Sequence, residues 1–282
     1  MQHEIGTGRL TGAVDSFGAQ LRSLKLDGTE YLWGATDPWR YSAPVLFPII
    51  SGLPGDELQH GGRRFGILSH GFARRTQWAI AGPARFELAA TEATRAQYPF
   101  EFRLIMEFTV GEALTVKHTV INDGDEPLPY LLGAHPAFVW PLPGATGAHE
   151  VRWGAGGETM RQAVHGLRPG RIPSPATSGR LELTHQLFAE DALLFDDIAP
   201  RQVTYTAPGA AQIVMGFADF AVLGIWSKAE AANFVCLEPW SGYPAPQGFD
   251  GEISSLPGIE LLPVGESRSF SYSIAIEGAV IA

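Results

Sequence analysis

Cysteine is almost missing from this chain: Cys236 stands alone among 282 residues. No disulfide can form within it, which is compatible with a reducing compartment. Positive charge is also scarce, with 20 Lys and Arg against 30 Asp and Glu and a net charge of −10. That balance argues against nucleic acid or an anionic membrane surface as a main partner. It leaves open a small neutral ligand, or an anionic one held by a local group of arginines. No apolar run reaches membrane-spanning length, and the opening MQHEIGTGRL lacks the basic-then-apolar pattern of a signal peptide. A cytoplasmic protein is expected. There is no G-x-x-x-x-G-K-[ST] phosphate loop, no G-x-G-x-x-G opening a helix and no G-x-S-x-G elbow. Nothing suggests a redox cofactor.

What is present is apolar and strand-like. Apolar residues make up 45% of the chain and charged ones 18%, enough for a sizeable core. In FEFRLIMEFTV, Phe100, Phe102, Leu104, Met106, Phe108 and Val110 alternate with Glu101, Arg103, Glu107 and Thr109, the period of a strand with one buried face. Gly111 and Glu112 supply a turn, and ALTVKHTVIN resumes the alternation, which predicts an antiparallel hairpin. QVTYTA, AQIVMGF, FVCLEPW and SFSYSIAI read as further strands. The 33 glycines and 21 prolines are spread along the chain as turn punctuation. The stretch PLPGATGAHEVRWGAGGET reads as a Gly-rich insertion able to shape a rim. The expectation is one all-β domain over residues 1–282, an antiparallel sandwich or barrel with few short helices, one of them a turn near 184–192.

Most of the eight histidines call for no function. His118 shares a strand face with Leu114, Val116 and Val120 and reads as core. His60 precedes Gly61–Gly62 and reads as a turn residue. His3, His149, His165 and His185 lie in polar or flexible contexts. Three stretches differ: SHGFAR (69–74), GAHPAF (133–138) and CLEPWSG (236–242), each with a titratable residue beside small or aromatic neighbours. His135 and Glu238 both precede proline, which favours extended backbone and suits holding an acid and a base at a set separation. Two unrelated X-Pro pairs at strand ends would read the same way. Trp226, Trp240, Phe72 and Phe138 lie nearby in sequence and could pack on sugar C–H faces or fill the core. A metal set of His70, His135 and Glu238 is a rival, disfavoured because no pair has close ligand spacing.

Taken in order, APVLFPIISGLPGD, SHGFAR, GAHPAF, DALLF and LGIWSK…FVCLEPWSG resemble the aldose 1-epimerase (galactose mutarotase-like) family over roughly residues 43–242. Singly these motifs are weak; the ordered set is specific. The resemblance implies a large antiparallel β-sandwich of the galactose mutarotase type and a cofactor-independent isomerase that opens and recloses a pyranose ring. It implies that Glu238 is the base taking the C1-hydroxyl proton and that His135 is the acid protonating the ring oxygen. By the same resemblance His70 hydrogen-bonds the sugar near that oxygen and Asp191 binds its hydroxyls; Trp226 and Trp240 are expected to bind the sugar as aromatic faces.

The chain departs from the family at one point. Where many relatives carry a sugar-contacting arginine after the PVLFPII-type stretch, it has Ser51, Gly52 and Leu53. Arg74, or Arg63 and Arg64, are candidate replacements. Arg74 also matches relatives acting on hexose 6-phosphates, and guanidinium suits bidentate phosphate recognition. Free aldose is thus the leading substrate class and a sugar phosphate the close alternative. A non-catalytic carbohydrate-binding protein on the same scaffold is the third reading.

Overall fold

A computed structural model of the protein describes residues 1–164, 166–228 and 232–278. His165 lies outside the described residues. Two antiparallel sheets dominate, one of nine strands and one of eight, joined by a four-stranded sheet near the N-terminus and two two-stranded ribbons. The architecture is a large antiparallel β-sandwich, as expected. One apolar cluster runs through it, taking Leu104 and Val116 from the nine-stranded sheet and Leu193, Val222 and Leu237 from the eight-stranded sheet. Among the described residues no helix is long and apolar enough to cross a membrane.

The alternation in the sequence maps directly onto the nine-stranded sheet. Phe102–Val110 and Ala113–Asn122 form the expected hairpin, from Phe102 opposite Asn122 to Val110 opposite Leu114. Ser267–Glu277 flanks it on the other side. Leu114, Val116, His118 and Val120 all face inward, and His118 is fully buried as a core residue. The segment near 184–192 contains a single 3-10 turn, His185–Phe188. The Gly-rich stretch of residues 141–159 is not simply a rim. Its Glu150–Arg152 joins the nine-stranded sheet, pairing with both Arg180–Glu182 and Gln202–Thr206.

The eight-stranded sheet carries the chemistry-bearing residues. Its strand Phe234–Trp240 is buried at every position, as the near-continuous apolar run FVCLEPW requires. On one side it pairs with Val222–Trp226, with Glu238 opposite Gly224. On the other it pairs with two short pieces, Gly133–Ala134 and Ala137–Val139, where Gly133 lies opposite Trp240 and Ala137 opposite Cys236. Both pieces share one antiparallel register, and that register sets His135 opposite Glu238. The ladder is broken at His135–Pro136, where proline has no N–H to give, but the Leu237 N–H still donates to the Pro136 carbonyl at 3.1 Å.

Candidate functional site

His135 and Glu238 therefore meet as a cross-strand pair, the closest side-chain neighbours a sheet offers. His135 Nε2 lies 3.1 Å from Glu238 Oε2, and the Glu238 side chain is only 1% exposed. Gly224, across the strand from Glu238, makes room for it: a Cβ there would sit 3.3 Å from both Glu238 Cβ and the Trp240 ring. Aromatic rings hold the imidazole. Trp39 stacks on it at 4.9 Å between centroids, and Trp226 meets it edge-on at 5.7 Å.

The pair lines a cavity of about 280 Å³, together with Trp39, His70, Arg74, Asp191, Trp226 and Trp240 among others. All seven residues singled out in the sequence thus converge on one pocket. Other candidates do not reach it. Phe72 and Phe138 are core side chains. Arg64 is engaged by Glu57 and Asp250, and Arg63 lies over Phe65. Arg75 is spent on the Ser69 and Gly71 carbonyls. Gly133 is required by packing, because a Cβ there would stand 2.8 Å from the Trp240 ring and 3.0 Å from Leu46. His149 and His185 are also less free than their sequence context suggests. His149 is buried and accepts the Leu142 N–H at 2.9 Å; His185 stacks on Trp140 at 4.3 Å.

His70 comes from a tight turn packed on the sheet. Gly71, at φ +68°, passes so close to Phe47 that a Cβ would fall 2.0 Å from the Phe47 carbonyl oxygen. The His70 N–H donates to the Ser51 carbonyl at 2.8 Å, and the Ser51 N–H donates back to His70 Nδ1 at 3.0 Å. An Nδ1 that accepts leaves the proton of the neutral ring on Nε2, so His70 is set as an N–H donor. The Ser51–Leu53 segment, where the family arginine is absent, is thus what fixes the His70 tautomer. Ser51, His70 and Asp191 all have positive φ, at 60°, 62° and 75°. Non-glycine residues in this region carry a cost of about 1–3 kcal/mol each, and such residues gather at functional sites.

The electrostatics favour neutral rings and a protonated acid. Burial, with the Arg74 charge second, pushes His135 down to about 3. Burial, with repulsion from Asp191 second, pushes Glu238 well above the ordinary carboxylate range, while the Trp240 indole and Arg74 act in the opposite direction. Both shifts disfavour the imidazolium–carboxylate form of the pair. His70 is lowered by burial and by the charges of Arg74, His135 and Arg75. Arg74 is buried, donates to the Ser69 carbonyl at 2.9 Å and lies over the Tyr41 ring at 4.7 Å. Its Nε has no hydrogen-bond partner among the described residues. Burial lowers it to about 10, still a cation at pH 7.

Three site features escape a reading of the sequence. Trp39 and Tyr41 sit in a polar loop, GATDPWRYSAP, where two large aromatics among turn-forming residues are the one available signal. Cys236 lies two residues before Glu238 on the same strand face. His135, Cys236 and Glu238 have ligand atoms within 4.8 Å of one another. This set, rather than one with His70, is where a metal could be held. The Cys236 thiol is pushed up by burial and by Glu238, so an incoming ion would have to displace its proton.

Comparison with known proteins bears on family and fold. The curated chromosomal protein LacX of Lactococcus lactis subsp. lactis is 29% identical over 98% of this chain and 99% of its own. A galactose mutarotase-like protein from Lactobacillus casei superposes with a TM-score of 0.90 at 25% identity, covering 98% of this chain and 100% of that one. A galactose mutarotase related enzyme from Lactobacillus acidophilus gives 0.89 at 25% identity, over 99% and 98%. The family model for aldose 1-epimerase matches residues 1–253. With its sandwich fold and a match spanning most of its length, the chain belongs to the aldose 1-epimerase family.

Proposed function

We propose that this protein is a cofactor-independent aldose 1-epimerase interconverting the α and β anomers of a hexose. The observation that carries the reading is His135 Nε2 at 3.1 Å from Glu238 Oε2 on the wall of a cavity. Ring opening needs one proton removed from the C1 hydroxyl and one delivered to the ring oxygen. A proton moved from Glu238 to His135 produces the carboxylate and imidazolium that the two transfers require. Glu238 then takes the O1 proton, the C1–O5 electron pair goes to the ring oxygen, and His135 protonates that oxygen. Rotation about C1–C2 turns the other carbonyl face to the C5 oxygen, and closure returns both protons. The His70 Nε2–H is set to donate to the sugar, Asp191 accepts from its hydroxyls, and Trp226 and Trp240 offer ring faces for its C–H surfaces.

Polarimetry of freshly dissolved α-glucose or α-galactose tests this, with equilibration expected to run well above the spontaneous rate. Saturable binding without acceleration would leave a carbohydrate-binding protein instead. A sugar-phosphate substrate is the second reading, favoured by the buried Arg74 cation whose Nε has no partner among the described residues. A guanidinium in that state suits a phosphate oxygen. A higher kcat/KM for glucose 6-phosphate than for glucose, lost in Arg74→Met, would select it.

A further inference from the structure

We infer that His135, Cys236 and Glu238 form a binding site for a thiophilic divalent cation, zinc or cadmium, whose occupancy shuts the enzyme off. The inhibition rests on the epimerase reading of the pocket; the binding does not. Cys236 and Glu238 are two residues apart on one buried strand and therefore share a face of the sheet. His135 stands across from Glu238 in the neighbouring register. One ligand atom from each of the three lies within 4.8 Å of the other two. Zinc takes nitrogen, oxygen and thiolate at about 2.0–2.3 Å, which spaces tetrahedral ligand atoms about 3.3–3.8 Å apart. His135 Nε2 and Glu238 Oε2, at 3.1 Å, are already near that spacing, and the sulfur has at most about 1 Å to close.

Cys236 alone would need no such account. It is a small residue in an apolar cluster with Trp33, Ala137 and Phe234, with Trp39 and Trp226 packed on it. What marks the set is the acceptor beside it. Glu238 Oε2 is buried and has no aligned hydrogen-bond donor among the described residues, the approach of His135 being close but out of line. A buried acceptor left in that state is costly, and ligation of a cation relieves it. The charges also close. A thiolate and a carboxylate cancel a dication, and a neutral imidazole is the ligating form of histidine, so the interior gains no net charge. Asp191 lines the same cavity as Arg74 and opposes the repulsion that the guanidinium exerts on an incoming ion. On binding, the sulfur, oxygen and nitrogen lone pairs form the new bonds, and the thiol proton, with any proton on Glu238, leaves to solvent.

The fourth position is left for water from the cavity that His135 and Glu238 line. The ion then occupies the carboxylate oxygen and the imidazole nitrogen that the proton transfers need, and ring opening stops. Sulfur and nitrogen ligands select zinc or cadmium over magnesium and calcium, which prefer oxygen.

The whole protein, stripped of metal by a chelator and then freed of it, would be titrated with cadmium chloride and zinc chloride. One equivalent of cadmium should raise a sulfur-to-metal charge-transfer band in the ultraviolet. Cys236 is the only thiol in the chain, so the band identifies its ligand without a variant. Saturating zinc should lower the polarimetric rate by about 10²-fold or more, the contribution of a positioned acid or base, and EDTA should restore it. Magnesium and calcium should do neither. In Cys236→Ser and Cys236→Ala, folded by circular dichroism, the band should vanish. The zinc concentration for half-inhibition should rise by more than the roughly 100-fold that losing an outer-shell partner costs. No cadmium band in the parent, half-inhibition equal in the parent and both variants, or an undiminished rate with cadmium on Cys236 overturns the proposal. A stoichiometric band in a protein that accelerates no mutarotation would confirm the metal site and sink the epimerase reading.

Discussion

Two buried histidines, one on each large sheet, separate what burial does from what chemistry needs. His118 sits in the nine-stranded sheet between Met106 and Phe270, with Tyr272 stacked at 5.9 Å and Phe220 edge-on at 6.4 Å. His135 sits in the eight-stranded sheet opposite Glu238. Burial drives both rings to the neutral form, His118 to about 4 and His135 to about 3. Only His135 faces a carboxylate, and only His135 borders a cavity. A lowered imidazole pKa is therefore a mark of the interior. What distinguishes a proton-transfer site is a partner that shares the proton and a space for the molecule that receives it.

The sharpest way to break this contrast is to remove each group in turn. Glu238→Gln and His135→Asn should each lower kcat/KM by about 10²–10⁴-fold, the range for a positioned acid or base. His118→Leu should leave the polarimetric rate where it was. Equal losses in all three variants, with the fold intact by circular dichroism, would mean that the site has been misassigned. Because the proposed acid and base would act as one unit, the double variant should lose little more than either single one.

A smaller effect is expected from the loop-borne donor. His70 lies beside His135, with ring centroids 5.8 Å apart, but the proposed mechanism routes no proton through it. His70→Ala should raise KM roughly tenfold, the value of one hydrogen bond of about 1.4 kcal/mol, and change kcat far less. A loss in kcat as large as that of His135→Asn would place His70 in the proton transfer itself.

How much of this was legible in the sequence follows the same division. The hairpin of residues 102–122 is written in its alternation, because a half-buried strand dictates which positions are apolar. His118 could be read as core for that reason. His135 and Glu238 stood out as X-Pro residues, but their pairing depends on the register between two strands about a hundred residues apart. No local pattern records that register. Ser51 is less legible still: its role is to hold the His70 tautomer through its backbone N–H, and backbone groups are the same in every non-proline residue. The placement of Trp39 over His135 is likewise a matter of loop packing. Cys236 was countable, yet its nearness to the pair needed the strand face to be known.

The mildest expected effect concerns stability against pH. An unfolded imidazole takes up its proton as pH falls through about 6.5, whereas His118 in the fold does so only near 4. Between those values the unfolded chain binds more protons, so His118 costs stability as pH falls from 6.5 to 4. His135 has the same sign, with its window reaching down to about 3. Glu238 opposes it. Its folded-state value is raised from 4.5, so the fold binds the extra proton and stability falls as pH rises above 4.5. Above pH 4.5 the two contributions from the pair have opposite signs, and His118 has no such counterweight. In His118→Leu, Tm should therefore fall less steeply between pH 6.5 and 4.5 than in the parent, with at most about 1.5 kcal/mol of change at pH 7 for a swap of similar volume. In His135→Asn the removal of one member exposes the opposite slope of Glu238 and should also flatten the acid limb, but with loss of activity. An acid limb unchanged in His118→Leu would show that its imidazole is protonated in the fold, and the contrast between the two histidines would lose its basis.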